Sequence, residues 1–196
     1  MKQAKVLTEQ ELKRVLVVCE SMQNGKRNRI AVLLSHYAGL RVGEIASLKW
    51  VDVLMANGTI KDQFWLKAEN TKSNEARAVY LNGRLQRELG AWKSCLSQLS
   101  TDTPVIPSQK RSMRYQNELG HFSANSLCQL FARIYRAAGI DGASSHSGRR
   151  WFITKLAHSG VSPKVIMTLA GHKNLTTTQR YIEVNDEMMA RAVGRL

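Results

Sequence analysis

Apolar residues recurring at intervals of three and four dominate this chain and predict a mainly helical domain. Thr8-Glu9-Gln10-Glu11 reads as a capping box, after which Leu12, Val15, Leu16 and Cys19 share one helical face. A second helix is expected from about Lys26 to Ala38, with Ile30, Leu33, Leu34 and Tyr37 inward and Gly39 ending it. Gly39 to Leu48 then reads as a tight turn into a short helix, with Arg41 at its start and Glu44 one turn later. From Trp50 the period changes, and Val51 to Leu54, Thr59 to Leu66 and Ala76 to Leu81 read as three short strands. Asn57-Gly58 supplies the hairpin turn between the first two. Lys67 to Glu75 is a polar connection with Lys72 near its tip.

Helical spacing returns from about Gly83 to Leu99, where Leu85, Leu89, Trp92 and Leu96 form a stripe. Residues 100 to 122 read as an irregular basic connection. Ser123 caps a helix to about Ala138, and Gly139 and Gly142 break the chain before His146. Further helices are expected over Ser147 to His158 and, from the Ser162-Pro163 start, to Ala170. Gly171-His172 ends the latter, and a short helix from about Leu175 carries Tyr181. Asn185 to Leu196 reads as an amphipathic tail helix. The expectation is α+β: mainly α with a small antiparallel three-stranded β-sheet, one domain over 1–183 and a tail over 184–196.

Charge changes the picture. Twenty-nine Lys and Arg against 15 Asp and Glu give the 196-residue chain a formal charge of +14. A polyanionic partner follows, nucleic acid ahead of an anionic membrane, with a merely soluble basic protein as the alternative. Basic residues are dispersed, which favours a folded basic surface over a disordered arm. Cys19, Cys95 and Cys128 sit in helical patterns and read as free thiols, consistent with a reducing cytoplasm. There is no apolar run long enough for a membrane span, no paired Cys/His zinc spacing and no phosphate-cradling glycine loop. Neither a metal nor a cofactor is expected.

Candidate chemistry gathers towards the C-terminal third. Arg149 offers a planar fork that fits two phosphate oxygens. His146 and His172 can donate hydrogen bonds or move protons near neutral pH. Tyr181 carries a phenol able to attack phosphorus. Arg41 opposes the dipole of the helix it begins, so it suits an anion site better than helix stability, unless it simply pairs with Glu44. Lys72 is either a solvated lysine or one that reaches a phosphate or a leaving oxygen.

Taken in order, Gly39-Leu40-Arg41-Val42-Gly43-Glu44-Ile45, Thr71-Lys72-Ser73, His146-Ser147-Gly148-Arg149, Leu169-Ala170-Gly171-His172 and Thr177-Thr178-Gln179-Arg180-Tyr181 resemble the catalytic domain of the tyrosine recombinase (phage integrase) family. The resemblance runs from Leu7 to about Glu183. Ala170 stands where a bulkier residue often precedes Gly-His, and Glu183 where a histidine is frequent; neither is a catalytic position. The resemblance implies that Tyr181 attacks the scissile phosphate to leave a 3′-phosphotyrosyl bond, while Arg41 and Arg149 clamp the non-bridging oxygens. It implies that His172 adds a hydrogen bond there, Lys72 protonates the 5′ leaving oxygen, His146 accepts the phenol proton and Glu44 orients its neighbours. The implied activity is site-specific recombination by integration, excision or inversion. Nicking and closing like the type IB topoisomerases, or a non-catalytic DNA-binding module, are the alternatives. Implied partners are double-stranded DNA, further copies of the chain as a tetramer on DNA, and accessory DNA-bending proteins, in the cytoplasm. An N-terminal helical clamp is missing from the pattern, so the short recombinases of the fimbrial inversion type, or a fragment, are expected. The tail after the tyrosine is expected to pack on a neighbouring protomer or back on its own domain.

Overall fold

The computed structural model describes residues 3–70, 75–96, 99–111, 119–182, 189–190 and 193–194. The helix α1 (Glu9–Ser21) begins at the Thr8–Glu11 capping box, in which Glu11 N donates to Thr8 Oγ1 at 3.1 Å and Thr8 N to Glu11 Oε2 at 2.9 Å. α2 (Gly25–Tyr37) is buried on nearly every side and packs against α1, α5 (Gly83–Lys93) and α7 (Ser147–His158). It is the axis of the domain. Its polar members Ser35 and His36 abut α7, where Gly148 leaves just enough space: a Cβ there would run into Ser35 Oγ and would meet His36 Nδ1 at 2.7 Å.

Two adjacent aromatic residues on α7 divide the interior. Trp151 joins the main core, while Phe152 packs on a smaller cluster of Ile153, Ala157, Ile166 and Ala170. The second cluster joins α7 to α8 (Pro163–Ala170), capped by Ser162. α6 (Ala124–Ala137) starts at Ser123 and buries Leu127, Leu130, Phe131 and Ile134, the face its spacing predicts. Between α2 and α5 lie α3 (Val42–Ser47), α4 (Trp50–Val53), β1 (Gln63–Leu66) and β2 (Arg77–Tyr80). Cys19, Cys95 and Cys128 are free thiols. Among the described residues no helix is long and apolar enough to cross a membrane.

The three-stranded sheet is corrected. Among the described residues there are two two-stranded antiparallel sheets, β1 with β2 and β3 (Pro107–Arg111) with β4 (Leu119–His121). Val51 to Leu54 is not a strand, because the turn from Trp50 to Val53 buries its first and last residues, a helical interval, while Val51 is exposed. Asp52 Oδ2 accepts from Lys49 N at 2.9 Å and fixes that turn. The Asn57-Gly58 turn does form, with Gly58 at φ 78, but it closes a single bridge between Leu54 and Ile60. Residues 100–122, expected to be irregular, contain β3 and β4 instead. Their anchor is Arg27, which donates to the Pro107 carbonyl at 3.0 Å and lies 5.1 Å from the Phe122 ring centroid. The helix expected to reach Leu99 ends at Lys93. The expected Asn185 to Leu196 helix lies largely outside the described residues.

Candidate active site

The C-terminal end of α8 is where the site is built. A helix ends in backbone carbonyls with no partner inside the helix and carries partial negative charge there. Three consecutive carbonyls at this end each accept from a different arginine. Leu169 O takes Arg77 Nη1 at 2.8 Å, Ala170 O takes Arg149 Nη2, and Gly171 O takes Arg41 Nη2 at 3.1 Å. Arg149 also donates to Gly39 O at 2.7 Å, at the turn that closes α2. Arg41 at the start of α3, Arg77 on β2 and Arg149 on α7 thus converge although they lie far apart in sequence.

Glu44, 1% exposed, binds two of the three. Its Oε1 accepts from Arg41 Nη1 at 2.8 Å, and its Oε2 accepts from Arg41 N and Arg77 Nη2, each at 2.8 Å. Burial works to raise the Glu44 pKa, but Arg77, Arg41 and Arg149 outweigh it and hold the carboxyl below its ordinary value. Burial, then Arg41, push the Arg149 guanidinium down to about 9, so it stays charged at neutral pH. Three guanidiniums against one carboxylate leave a positive surplus in a largely buried place. A phosphate fits that surplus.

Gly171 turns the chain at φ 61, and a Cβ there would meet Arg77 Cδ at 2.5 Å. Glycine is required on both counts, and the turn delivers His172 beside the arginines. His172 Nδ1 shares a 2.9 Å hydrogen bond with the hydroxyl of Thr178, which is fully buried on α9 (Leu175–Gln179). Tyr181 sits two residues beyond that helix rather than within it, with its amide bonded to Thr178 O at 3.0 Å. Its ring stacks on His172, with centroids 6.0 Å apart and planes 20° from parallel. His146, at the N-cap of α7, lines the same groove of about 670 Å³ as Tyr181. Lys72 lies outside the described residues.

Six of the seven candidates therefore have described positions: Arg41, Glu44, Arg149, His172 and Tyr181 form one connected set, and His146 shares the groove. Arg77 and Thr178 were missed. Arg77 lies within the strand expected over Ala76 to Leu81, and Thr178 within the Thr177 to Tyr181 segment, and neither was given a role of its own. The signal for Arg77 was a charge at a position whose cross-strand partner Leu66 and same-face neighbour Val79 are buried.

Two histidines set an acid limit. Burial pushes His36 down to about 4, and burial followed by Arg149, Arg41 and Arg77 pushes His172 down to about 4. Both folded values lie below the unfolded value of about 6.5. Each neutral imidazole therefore contributes stability that is complete above about pH 6.5 and is lost as pH falls towards 4. Thermal melts should show the midpoint falling through that window, and less steeply for His36→Phe. An unchanged slope in that variant would remove His36 as a contributor.

Residues 5–188 match the phage integrase family. Among curated relatives, tyrosine recombinase XerA of Thermococcus kodakarensis is 32% identical over 188 residues, covering 96% of this chain and 61% of its own length. XerA of Pyrococcus furiosus is 28% identical over 191 residues, covering 97% and 61%. The chain thus spans about three-fifths of these relatives. Among solved structures, the crystal structure of XerA recombinase superposes with a TM-score of 0.72 at 23% identity, over 100% of this chain and 64% of that one. XerH bound to its palindromic difH substrate gives 0.71 at 22% identity, over 98% and 53%. The small antiparallel sheets on a helical body are the fold these recombinases share, and with the match over residues 5–188 the chain belongs to the phage integrase family.

Proposed function

We propose that this chain cuts and rejoins double-stranded DNA at specific sites through a covalent 3′-phosphotyrosyl intermediate on Tyr181. The observation that carries the reading is the gathering of Arg41, Arg149 and His172 on the end of α8, with the Tyr181 ring stacked on that histidine. Arg41 and Arg149 exchange their carbonyl partners, wholly or in part, for the non-bridging oxygens of the scissile phosphate. Charge that builds on those oxygens is then met by donors already in place, worth about 3–4 kcal/mol for each well-aimed donor.

His172 enters neutral. With the Thr178 hydroxyl donating to Nδ1, Nε2–H is left to donate to a phosphate oxygen. The Tyr181 oxygen bonds to phosphorus as the 5′ oxygen leaves. The phenol proton passes to His146, and Lys72 supplies a proton to the departing oxygen. Glu44 and Arg77 hold the arginines rather than moving protons. Because the phosphodiester energy stays in the tyrosyl bond, a 5′-hydroxyl from another strand reverses the step. Exchange between two duplexes requires four such centres, so the chain acts as a homo-tetramer on DNA, with DNA-bending proteins as accessory partners. Residues 1–183 form the catalytic domain and 184–196 its tail.

Sequencing DNA trapped on the protein supplies the target site, and supercoiled DNA carrying two such sites then tests the reading. Recombinant products are expected; relaxation without exchange would instead assign the nicking-closing activity. Lys72→Ala should slow cleavage of an ordinary duplex by about 10²–10⁴-fold, the usual worth of a positioned acid. A 5′-bridging sulfur, which leaves without a proton, should restore the rate. Failure of that rescue would move Lys72 from proton donor to phosphate ligand.

A further inference from the structure

Arg150 adjoins Arg149 on α7, yet its side chain takes another course. Its guanidinium carbon lies 5.5 Å from the centroid of the Tyr181 ring, within the range of cation–π attraction. Nη1 donates to the Ala4 carbonyl at 2.6 Å, and Nε is buried without a hydrogen-bond partner. Lys5 N donates to Gly142 O at 2.9 Å, so the lead-in stretch is pinned along the groove that Ala4, His146, Arg150 and Tyr181 line. Leaving a buried guanidinium nitrogen unpaired costs free energy, which the contacts of the other nitrogens and of the flat face must offset.

Tyr181 needs such a contact. It lies beyond the last residue of α9, so the direction of its ring is set by what packs against it. We infer that Arg150 is a positioning residue for the nucleophile: anchored by the Ala4 carbonyl, its guanidinium holds the Tyr181 ring in the stacked orientation on His172. The inference rests on Tyr181 being the nucleophile. A ring so held spends more of its time within attacking distance of a bound phosphate, and the lead-in stretch becomes part of what aims it.

The test is single-turnover covalent joining to a nicked duplex at saturating protein, where the rate is independent of affinity. Arg150→Gln removes the cation and should slow joining about tenfold, with Arg150→Lys within about threefold of the parent chain. Duplex affinity, measured separately, should change far less than the rate. An unchanged rate in Arg150→Gln, with the parent adduct on Tyr181, overturns the inference and leaves the nucleophile in place. Equal slowing by glutamine and lysine overturns it too. An adduct on another residue of the parent chain overturns the nucleophile and this inference together. If Arg150→Gln melts below the assay temperature, Arg150→Met keeps the apolar stem and replaces it. Lysine must then outpace methionine by about the same factor, and parity overturns the inference.

Discussion

Glu44→Gln should lower the unfolding free energy by about 3–5 kcal/mol, the cost of removing one member of a buried ion pair. Glu44 is 1% exposed and accepts from Arg41 N, Arg41 Nη1 and Arg77 Nη2. A carboxamide has one oxygen to accept with and an amino group that would face a guanidinium. Arg77, 8% exposed, would keep its charge and lose its counter-ion, whereas Arg41 at 22% can recover some hydration. Urea unfolding measures the loss. Its pH dependence follows from the lowered Glu44 pKa: the ion pair contributes above the unfolded carboxyl value of about 4.3 and fades as pH falls through the lower folded one. The glutamine variant should lack that acid-side contribution.

A second variant separates stability from chemistry. Glu44→Leu with Arg77→Met removes the buried pair and should recover much of the stability. Covalent joining to DNA should stay low, because Arg41 then loses both contacts to Glu44 and keeps only the Gly171 carbonyl to orient it. Recovery of both would show that Glu44 and Arg77 serve the fold alone.

Tyr181→Phe should retain duplex binding and form no covalent adduct on a nicked suicide duplex. The substitution deletes one oxygen and keeps the ring that stacks on His172 and lies beneath Arg150. Tyr181 is only partly buried, so its hydroxyl contributes little to the core, and the thermal midpoint should move by no more than about the worth of one exposed contact. The chain's positive charge and the three arginines at the end of α8 are untouched, so affinity is expected to persist. What vanishes is the atom proposed to bond to phosphorus. Loss of binding along with joining would mean that the phenol supports the fold, and persistent joining would mean that another residue attacks.

How much of this was legible in the sequence follows from how local each signal is. Caps are local, and the helix starts at Thr8, Ser123 and Ser162 appear where side-chain oxygens meet the first-turn amides. Helical faces were legible too, since Leu127, Leu130, Phe131 and Ile134 bury together. Strands were less so. Val51 and Val53 imitate half of an alternating pattern, and only the burial of Trp50 with Val53 against the rest of the core decides for a helical turn. β3, with Pro107, Ser108, Gln109, Lys110 and Arg111, has no apolar period at all and is held by backbone pairing and by Arg27.

In the site, residues with reactive chemistry could be named in advance, and so could Glu44 one turn after Arg41, whereas Arg77, Thr178 and Arg150 could not. Arg41, Arg149, His172 and Tyr181 stand out by type and order. Arg77 and Thr178 matter because of where the fold brings them, under Gly171 and behind His172, and neither proximity is written in spacing. The same holds for Arg150, whose contacts link α7 to the segment after α9 and to the lead-in stretch.

The most direct test is to incubate the protein with a duplex nicked so that the cleaved fragment diffuses away, digest the trapped complex and sequence the peptide that carries DNA. The expected product is a 3′-phosphate ester on the oxygen of Tyr181, with a free 5′-hydroxyl on the released fragment. A 5′-linked ester, an ester on another side chain, or strand breakage with no protein attached would contradict it.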